Sequence, residues 1–119
     1  MKNAEKGPLN KRTYLFAIEI VNLCKYLNSG HKEYILSKQI LRSGTAIGAI
    51  IREAEFASSR QEFIYKLTLS LKEANESVYW LMLLFDTGFI SEPLFEKLEM
   101  ECHELISMLV SSIKTAKSN

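Results

Sequence analysis

The stretch LRSGTAIGAIIREAEFAS, from Leu41 to Ser58, decides the fold of this chain. Its pattern is that of a helix with two interior glycines, Gly44 and Gly48. Each glycine costs a helix about 1 kcal/mol relative to alanine, so a helix that keeps both is expected to need them. The usual need is the close approach of another backbone, and we predict that both glycines lie at a close helix–helix contact.

Helical periodicity divides this predicted helix into two main faces. Apolar and small residues share one face: Ile40, Gly44, Ile47, Ile51 and Ala54. Polar and small residues share the opposite face: Lys38, Arg42, Thr45, Ala49 and Arg52. Because Leu41 and Ile50 lie between the two faces, the helix is apolar on more than one side and should contact several neighbours.

Length and composition predict one globular domain spanning residues 1–119. We expect residues 1–9 to form a loose tail and residues 116–119 to fray. No apolar run approaches the roughly 18 residues of a membrane span, and the N-terminal residues lack the apolar core of a signal peptide. We therefore expect a cytoplasmic protein whose Cys24 and Cys102 are buried thiols rather than a disulfide.

The first two helices are bounded by polar residues. An amphipathic pattern runs from about Asn10 to Asn28, and Gly30 is expected to end it in the left-handed conformation. The second helix starts between Lys32 and Ser37, with Ser37 as a plausible N-cap, and runs to about residue 57. The exact start stays open at this stage.

Two further amphipathic helices follow after short connections. Ser59 and Glu62 form the pattern of a capping box, Gly88 is the candidate C-cap of the third helix, and Ser91 is the expected N-cap of the fourth. The connection after the second helix is too short for anything but an antiparallel pair. The sequence therefore predicts an all-α, antiparallel up-down-up-down four-helix bundle.

Charge is distributed unevenly along the chain. Residues 1–72 contain 12 Lys/Arg and 6 Asp/Glu, whereas residues 73–119 contain 3 and 8. This asymmetry indicates either a polyanion-binding half or electrostatic contacts within or between subunits. Lys38, Arg42 and Arg52 form the hypothesised nucleic-acid-binding face, and the alternative is a solvated surface. No Tyr or Trp is interleaved on that helix face, as single-strand binding would favour.

Motifs for catalysis or metal binding are not found in the sequence. A di-metal bundle needs Glu-x-x-His pairs, but Met100 stands three residues before His103. The cysteines and histidines have no zinc-site spacing, and no phosphate loop or dinucleotide fingerprint occurs. We predict no catalytic residue, no cofactor and no metal, and expect a protein that is not an enzyme.

The third helix has more apolar surface than one core requires. The surplus residues are Tyr65, Leu69, Tyr79, Trp80 and Leu83. Contiguous exposed apolar patches usually mark interfaces, so we predict a homo-oligomer that uses this surface.

The stretch from Arg42 to Ile90 resembles a bacterial family described as four helix bundle proteins, first read from intervening sequences in large-subunit ribosomal RNA genes. The similarity covers roughly residues 12–115. It is carried by Arg42-Ser43, Thr45, Glu53, Phe63, Leu67, Lys72-Glu73-Ala74, Glu76, Tyr79-Trp80-Leu81 and Thr87-Gly88. Relatives often have Asn where this chain has Ile50.

The resemblance implies a four-helix bundle that assembles as a barrel-shaped homo-pentamer. The family is also similar in fold to the accessory variability determinant of diversity-generating retroelements, which works with a reverse transcriptase and nucleic acid. No catalytic residue carries over. Two hypotheses follow: a self-assembling bundle that binds RNA, DNA or a nucleic-acid-processing protein, or an interaction module without a nucleic-acid role.

Overall fold

The computed structural model describes residues 7–118, which form four helices. They are α1 (Pro8–Gly30), α2 (Ile35–Ala54), α3 (Arg60–Asp86) and α4 (Glu92–Ser118). Each helix packs against the next, α1 also contacts α4, and the described residues contain no strand. The predicted all-α up-down-up-down bundle is therefore confirmed. Most of the expected N-terminal tail, and residue 119, lie outside the described residues.

The core is built from apolar side chains of all four helices. Its largest fully buried side chains are Phe16, Ile20, Leu27, Ile40, Ile47, Leu67, Leu81, Leu84, Leu98, Leu105 and Leu109. Three serines are also buried between α2 and α3, where Ser77 Oγ lies 2.9 Å from Ser43 Oγ and Ser70 Oγ donates to the Ile47 carbonyl. Because these hydroxyls have partners, their burial does not leave unsatisfied polar groups.

Gly44 and Gly48 lie where α2 approaches α1 most closely. A Cβ atom on Gly44 would stand 2.9 Å from Cγ1 of Ile20, and one on Gly48 would stand 3.0 Å from Oγ1 of Thr13. Ile20 and Thr13 are themselves buried. The absence of a side chain at each glycine therefore sets the distance between the two helices.

The start of α2 differs from the expected capping. The helix begins at Ile35, within the expected range from Lys32 to Ser37, and the plausible N-cap Ser37 instead lies buried inside the first turn. The carboxylate of Glu33 instead accepts hydrogen bonds from the backbone N–H groups of Ile35, Leu36 and Ser37. A carboxylate is favoured here because it both satisfies the open donors of the first turn and complements the helix dipole.

The end of α1 also differs from the prediction. Gly30 remains within the helix, and Lys32 adopts the positive φ of 52° that was expected of Gly30. The N–H groups of His31 and Glu33 both donate to the Leu27 carbonyl, so the chain leaves the helix two residues later than Asn28. At the end of α3, the C-cap is Thr87 rather than the candidate Gly88, which follows it in the left-handed conformation with φ of 86°.

The connection between α2 and α3 contains one cap that was predicted and one helix end that was not. Ser59 Oγ accepts the N–H of Glu62, as the capping box predicts. The Glu62 carboxylate closes the box on Ser58, whose N–H and hydroxyl it accepts. Helix α2 ends at Ala54 rather than near residue 57, because the next N–H groups donate to carbonyls only three residues back and form a turn.

Cys24 and Cys102 are free and buried, as predicted. Their Sγ atoms donate to the carbonyls of Ser37 and Ala74, respectively. Burial raises the pKa of Cys24 to about 11 and that of Cys102 to about 12, which keeps both thiols protonated.

Over the residues described, none of the helices has the length and apolarity needed to cross a membrane.

Candidate nucleic-acid interface

The hypothesised basic face lies along the outer surface of α2. Lys38, Arg42 and Arg52 are all exposed. Fourteen residues separate the first from the last, which corresponds to about 21 Å at a rise of about 1.5 Å per residue. The face is therefore a line of charge along the bundle rather than a compact cluster.

The three cations differ in their partners. Arg42 reaches across to α3, where Nη1 lies 3.1 Å from Oε1 of Glu73 and Nη2 pairs with Glu76. Glu76 also accepts the indole N–H of Trp80 at 2.8 Å. Lys38 and Arg52 form no ion pair with any residue in the range 7–118. Because Arg42 already faces two carboxylates, it contributes less positive potential than the other two.

Arg52 borders a groove between α1 and α2, which we call the α1–α2 groove. It has a volume of about 260 Å³ and is lined by Asn10, Thr13, Tyr14, Ala17, Thr45, Gly48, Ala49 and Arg52. Several of the lining residues are small, and Tyr14, which also lines the groove, is 39% exposed. An aromatic side chain therefore does lie beside the basic face, although α1 supplies it rather than α2.

The helical spacing of Tyr14 and Ala17 in α1 is the part of this groove that can be read from the sequence. Tyr14 precedes the core residue Phe16 by two positions and lies on the side of α1 that faces α2. Helical periodicity places Ala17 on that same side. Matching this side of α1 to Thr45 and Ala49 requires the antiparallel register, which the Gly48–Thr13 contact sets.

Lys38 occupies a second, shallower depression at the opposite end of α2. This depression has a volume of about 130 Å³ and is lined by Cys24, Asn28, Tyr34, Ser37, Lys38 and Leu41. Tyr34 is 56% exposed. Both ends of the basic face thus combine an exposed tyrosine with a cation that has no ion-pair partner among residues 7–118.

The hypothesised oligomer surface of α3 is only partly exposed. Tyr65 and Tyr79 project from the helix with 59% and 58% of their surface accessible. Leu69, Trp80 and Leu83 are half-buried. The Trp80 ring lies edge-on to Tyr79 at 5.0 Å between centroids, and its hydrogen bond to Glu76 fixes it further. The two tyrosines therefore present most of the available surface.

A separate ionisable cluster lies where α1 meets α4. Lys97 pairs with Glu19 and lies 3.2 Å from Glu101. Partial burial and the neighbouring Glu19 raise the pKa of Glu101. Burial opposes a low pKa at Glu19, but hydrogen bonds from Glu101 and Lys97 lower its pKa overall. The cluster joins the two helices.

Within residues 7–118, no three His, Cys, Asp or Glu side chains gather as metal ligands would.

Comparisons with known proteins agree with this fold. The family model described as 23S rRNA-intervening sequence protein matches residues 8–111. The chain is also similar to the crystal structure of a protein of unknown function from the S23 ribosomal protein family of Bacteroides thetaiotaomicron VPI-5482. The two share 50% sequence identity with a TM-score of 0.89, over 90% of this chain and 99% of the other. No curated protein matches. The family match covers most of the bundle, and the protein therefore belongs to the 23S rRNA-intervening sequence protein family.

Proposed function

We propose that this protein is a non-enzymatic, self-assembling helical bundle that binds nucleic acid, or a protein that processes it, in the cytoplasm. The observation that carries the proposal is the pair Lys38 and Arg52. Both are exposed on α2, and neither has an ion-pair partner among the described residues. The family's association with ribosomal RNA intervening sequences supports a nucleic-acid partner.

The expected contact is with phosphates. Each neutralised phosphate releases condensed counterions, so two contacts per subunit predict a slope of about −1.8 in log affinity against log salt for duplex DNA. Two contacts give weak binding by one subunit. A homo-oligomer repeats the same face, and simultaneous contacts then raise the overall affinity.

The non-enzymatic part of the proposal is supported by the state of the reactive groups. Both thiols are buried and protonated, which makes them poor nucleophiles. The carboxyl pair of Glu19 and Glu101 is held by Lys97 at the contact between α1 and α4. The free thiols also fit a reducing cytoplasm.

The test is a binding titration with fluorescently labelled structured RNA and duplex DNA at about 50 and about 200 mM salt, the range over which phosphate contacts weaken most visibly. We expect the double variant Lys38→Gln/Arg52→Gln to lose affinity and to show a flatter salt dependence. The control Lys72→Gln/Lys117→Gln removes the same charge from exposed positions on α3 and α4 and should bind like wild type. Equal affinity and equal salt slope in wild type and the first variant would place the contact elsewhere.

Arg42→Gln separates paired from unpaired cations within the same face. We expect it to weaken binding less than Arg52→Gln, because Glu73 and Glu76 already offset the Arg42 charge. Folding should be nearly unaffected, since exposed ion pairs contribute about 0–1 kcal/mol. A larger loss of affinity for Arg42→Gln than for Arg52→Gln would contradict the expectation that unpaired cations contribute more to binding than paired ones.

The alternative is an interaction module without a nucleic-acid role. It is favoured by the net charge of only +1, which is low for a protein that binds polyanions non-specifically. A homo-oligomer that binds neither RNA nor DNA at the lower salt concentration would establish this alternative.

A further inference from the structure

We infer that the α1–α2 groove binds an unpaired nucleobase, with Tyr14 stacking on the base and Arg52 contacting the adjoining phosphate. The inference rests on the proposed function and specifies its ligand. It makes the preferred partner a single-stranded nucleic acid, or a single-stranded loop, rather than a regular duplex.

The shape of the groove fits one flat ring system. At about 260 Å³ it is slightly smaller than the range of about 300–1,000 Å³ that is typical of pockets for drug-sized ligands. Ala17, Gly48 and Ala49 are among its lining residues and carry small or no side chains. Tyr14 also lines the groove, and the residue is 39% exposed, so it is accessible to a ligand.

The polar groups of the groove divide into satisfied and available ones. Thr13 Oγ1 donates to the Leu9 carbonyl at 2.8 Å, and Thr45 Oγ1 donates to the Leu41 carbonyl at 2.6 Å. The side chains of Asn10 and Arg52 make no hydrogen bond to another residue in the described part of the chain. An amide that can bind a base edge and a guanidinium that can bind a phosphate therefore border an apolar surface.

This combination favours a single strand over a duplex. In a duplex, the base faces are stacked on each other and cannot reach Tyr14, so only Arg52 could contribute through a phosphate. In a single strand, one base can stack on the ring while its phosphate meets the guanidinium. Aromatic stacking platforms beside a cationic track are the usual means of binding single strands.

The experiment compares a single-stranded oligonucleotide with a blunt-ended duplex of equal phosphate number, for wild type and three variants. Tyr14→Leu keeps apolar bulk but removes the aromatic face, and Tyr14→Phe keeps the face. Tyr26→Leu makes the same change at another exposed tyrosine of α1. We expect Tyr14→Leu to weaken single-strand binding about 5- to 150-fold and to leave binding of the blunt-ended duplex unchanged. Tyr14→Phe and Tyr26→Leu should bind like wild type.

A second measurement changes the ligand, and its main result is read on wild type. Replacing the bases of the oligonucleotide by abasic sites should weaken binding to wild type but not to Tyr14→Leu, because the stacking partner is then already lost. This measurement keeps the inference testable if Tyr14→Leu folds poorly, which far-UV circular dichroism would reveal. Equal binding of wild type to the abasic and the complete strand would overturn it.

The remaining outcomes separate this inference from the proposed function. If wild type binds duplex and single strand equally, and Tyr14→Leu changes neither, the groove is not a base site but the proposed function stands. If wild type binds no nucleic acid even at low salt, the inference fails together with direct nucleic-acid binding in the proposed function. If Tyr14→Leu instead lowers the oligomer mass in sedimentation, a second copy of the chain occupies the groove, and the inference is overturned.

Discussion

Replacing Gly44 by alanine should destabilise the bundle, although alanine is the better helix former. The new Cβ atom would lie 2.9 Å from Cγ1, 3.0 Å from Cγ2 and 3.3 Å from Cβ of Ile20. Ile20 is fully buried, and a β-branched side chain in a helix has one strongly preferred rotamer. It therefore cannot turn aside, and α1 and α2 must separate slightly.

The magnitude follows from two opposing effects. Removing glycine from the helix interior gains about 1 kcal/mol. Overpacking a well-packed contact costs about 1–3 kcal/mol. The net change should be a loss of up to about 2 kcal/mol in the free energy of unfolding. Ile20→Ala, which removes the two Cγ atoms, should by itself cost about 2–5 kcal/mol.

The decisive result is the sign of the change in the free energy of unfolding that Gly44→Ala causes in the Ile20→Ala background. In the Ile20→Ala background the contacts at 2.9 and 3.0 Å are gone and only the contact at 3.3 Å, to Cβ of residue 20, remains. Gly44→Ala should therefore raise the free energy of unfolding by up to about 1 kcal/mol through helix propensity. Urea unfolding followed by far-UV circular dichroism measures all four proteins. One protomer concentration must be used throughout, because assembly makes apparent stability concentration-dependent. If Gly44→Ala stabilises wild type, or shifts both backgrounds equally, the close-contact argument is wrong.

Two further predictions concern assembly and the buried thiols. Sedimentation equilibrium at micromolar concentration should show a homo-oligomer, with the pentamer as the family-based expectation. Tyr65→Glu/Tyr79→Glu should lower its mass, whereas a wild type of 13.6 kDa alone would refute self-assembly. Cys24 and Cys102 should react with a thiol reagent under mildly alkaline conditions only at the rate of unfolding. Since their folded pKa values of about 11 and about 12 exceed the ordinary 9.0, the free energy of unfolding should fall as pH rises above about 9. A stability that does not change as pH rises from about 8 to about 10 would contradict this.

The core was predictable because helical periodicity is a local property. Ile40, Gly44, Ile47, Ile51 and Ala54 share one face at any position of α2 in the fold, and all five are buried. The helix ends were less predictable because several polar residues compete for each cap. Ser37 and Glu33 can both satisfy the first turn of α2, and the three backbone N–H bonds of Glu33 prevail once Ser37 is buried.

The basic face shows which features the periodicity of a single helix does not predict. Periodicity correctly places Lys38, Arg42 and Arg52 on the exposed side of α2. It cannot reveal that Glu73 and Glu76, which are more than 30 residues further along the chain, lie within reach of Arg42. The partner of a surface charge depends on which side chains the neighbouring helix presents at the same level, and this is a property of the packed bundle.

The same reasoning explains the unexpected position of Tyr14 beside Arg52. The two residues are 38 positions apart, and both line the groove because Gly48 packs against Thr13 and so fixes the register of α1 against α2. A side chain at position 48 would push Thr13 away and would also fill the base of the α1–α2 groove. The glycine that allows the helices to pack closely therefore also creates the surface beside which Tyr14 and Arg52 come together, so stability and ligand binding at this face depend on one contact.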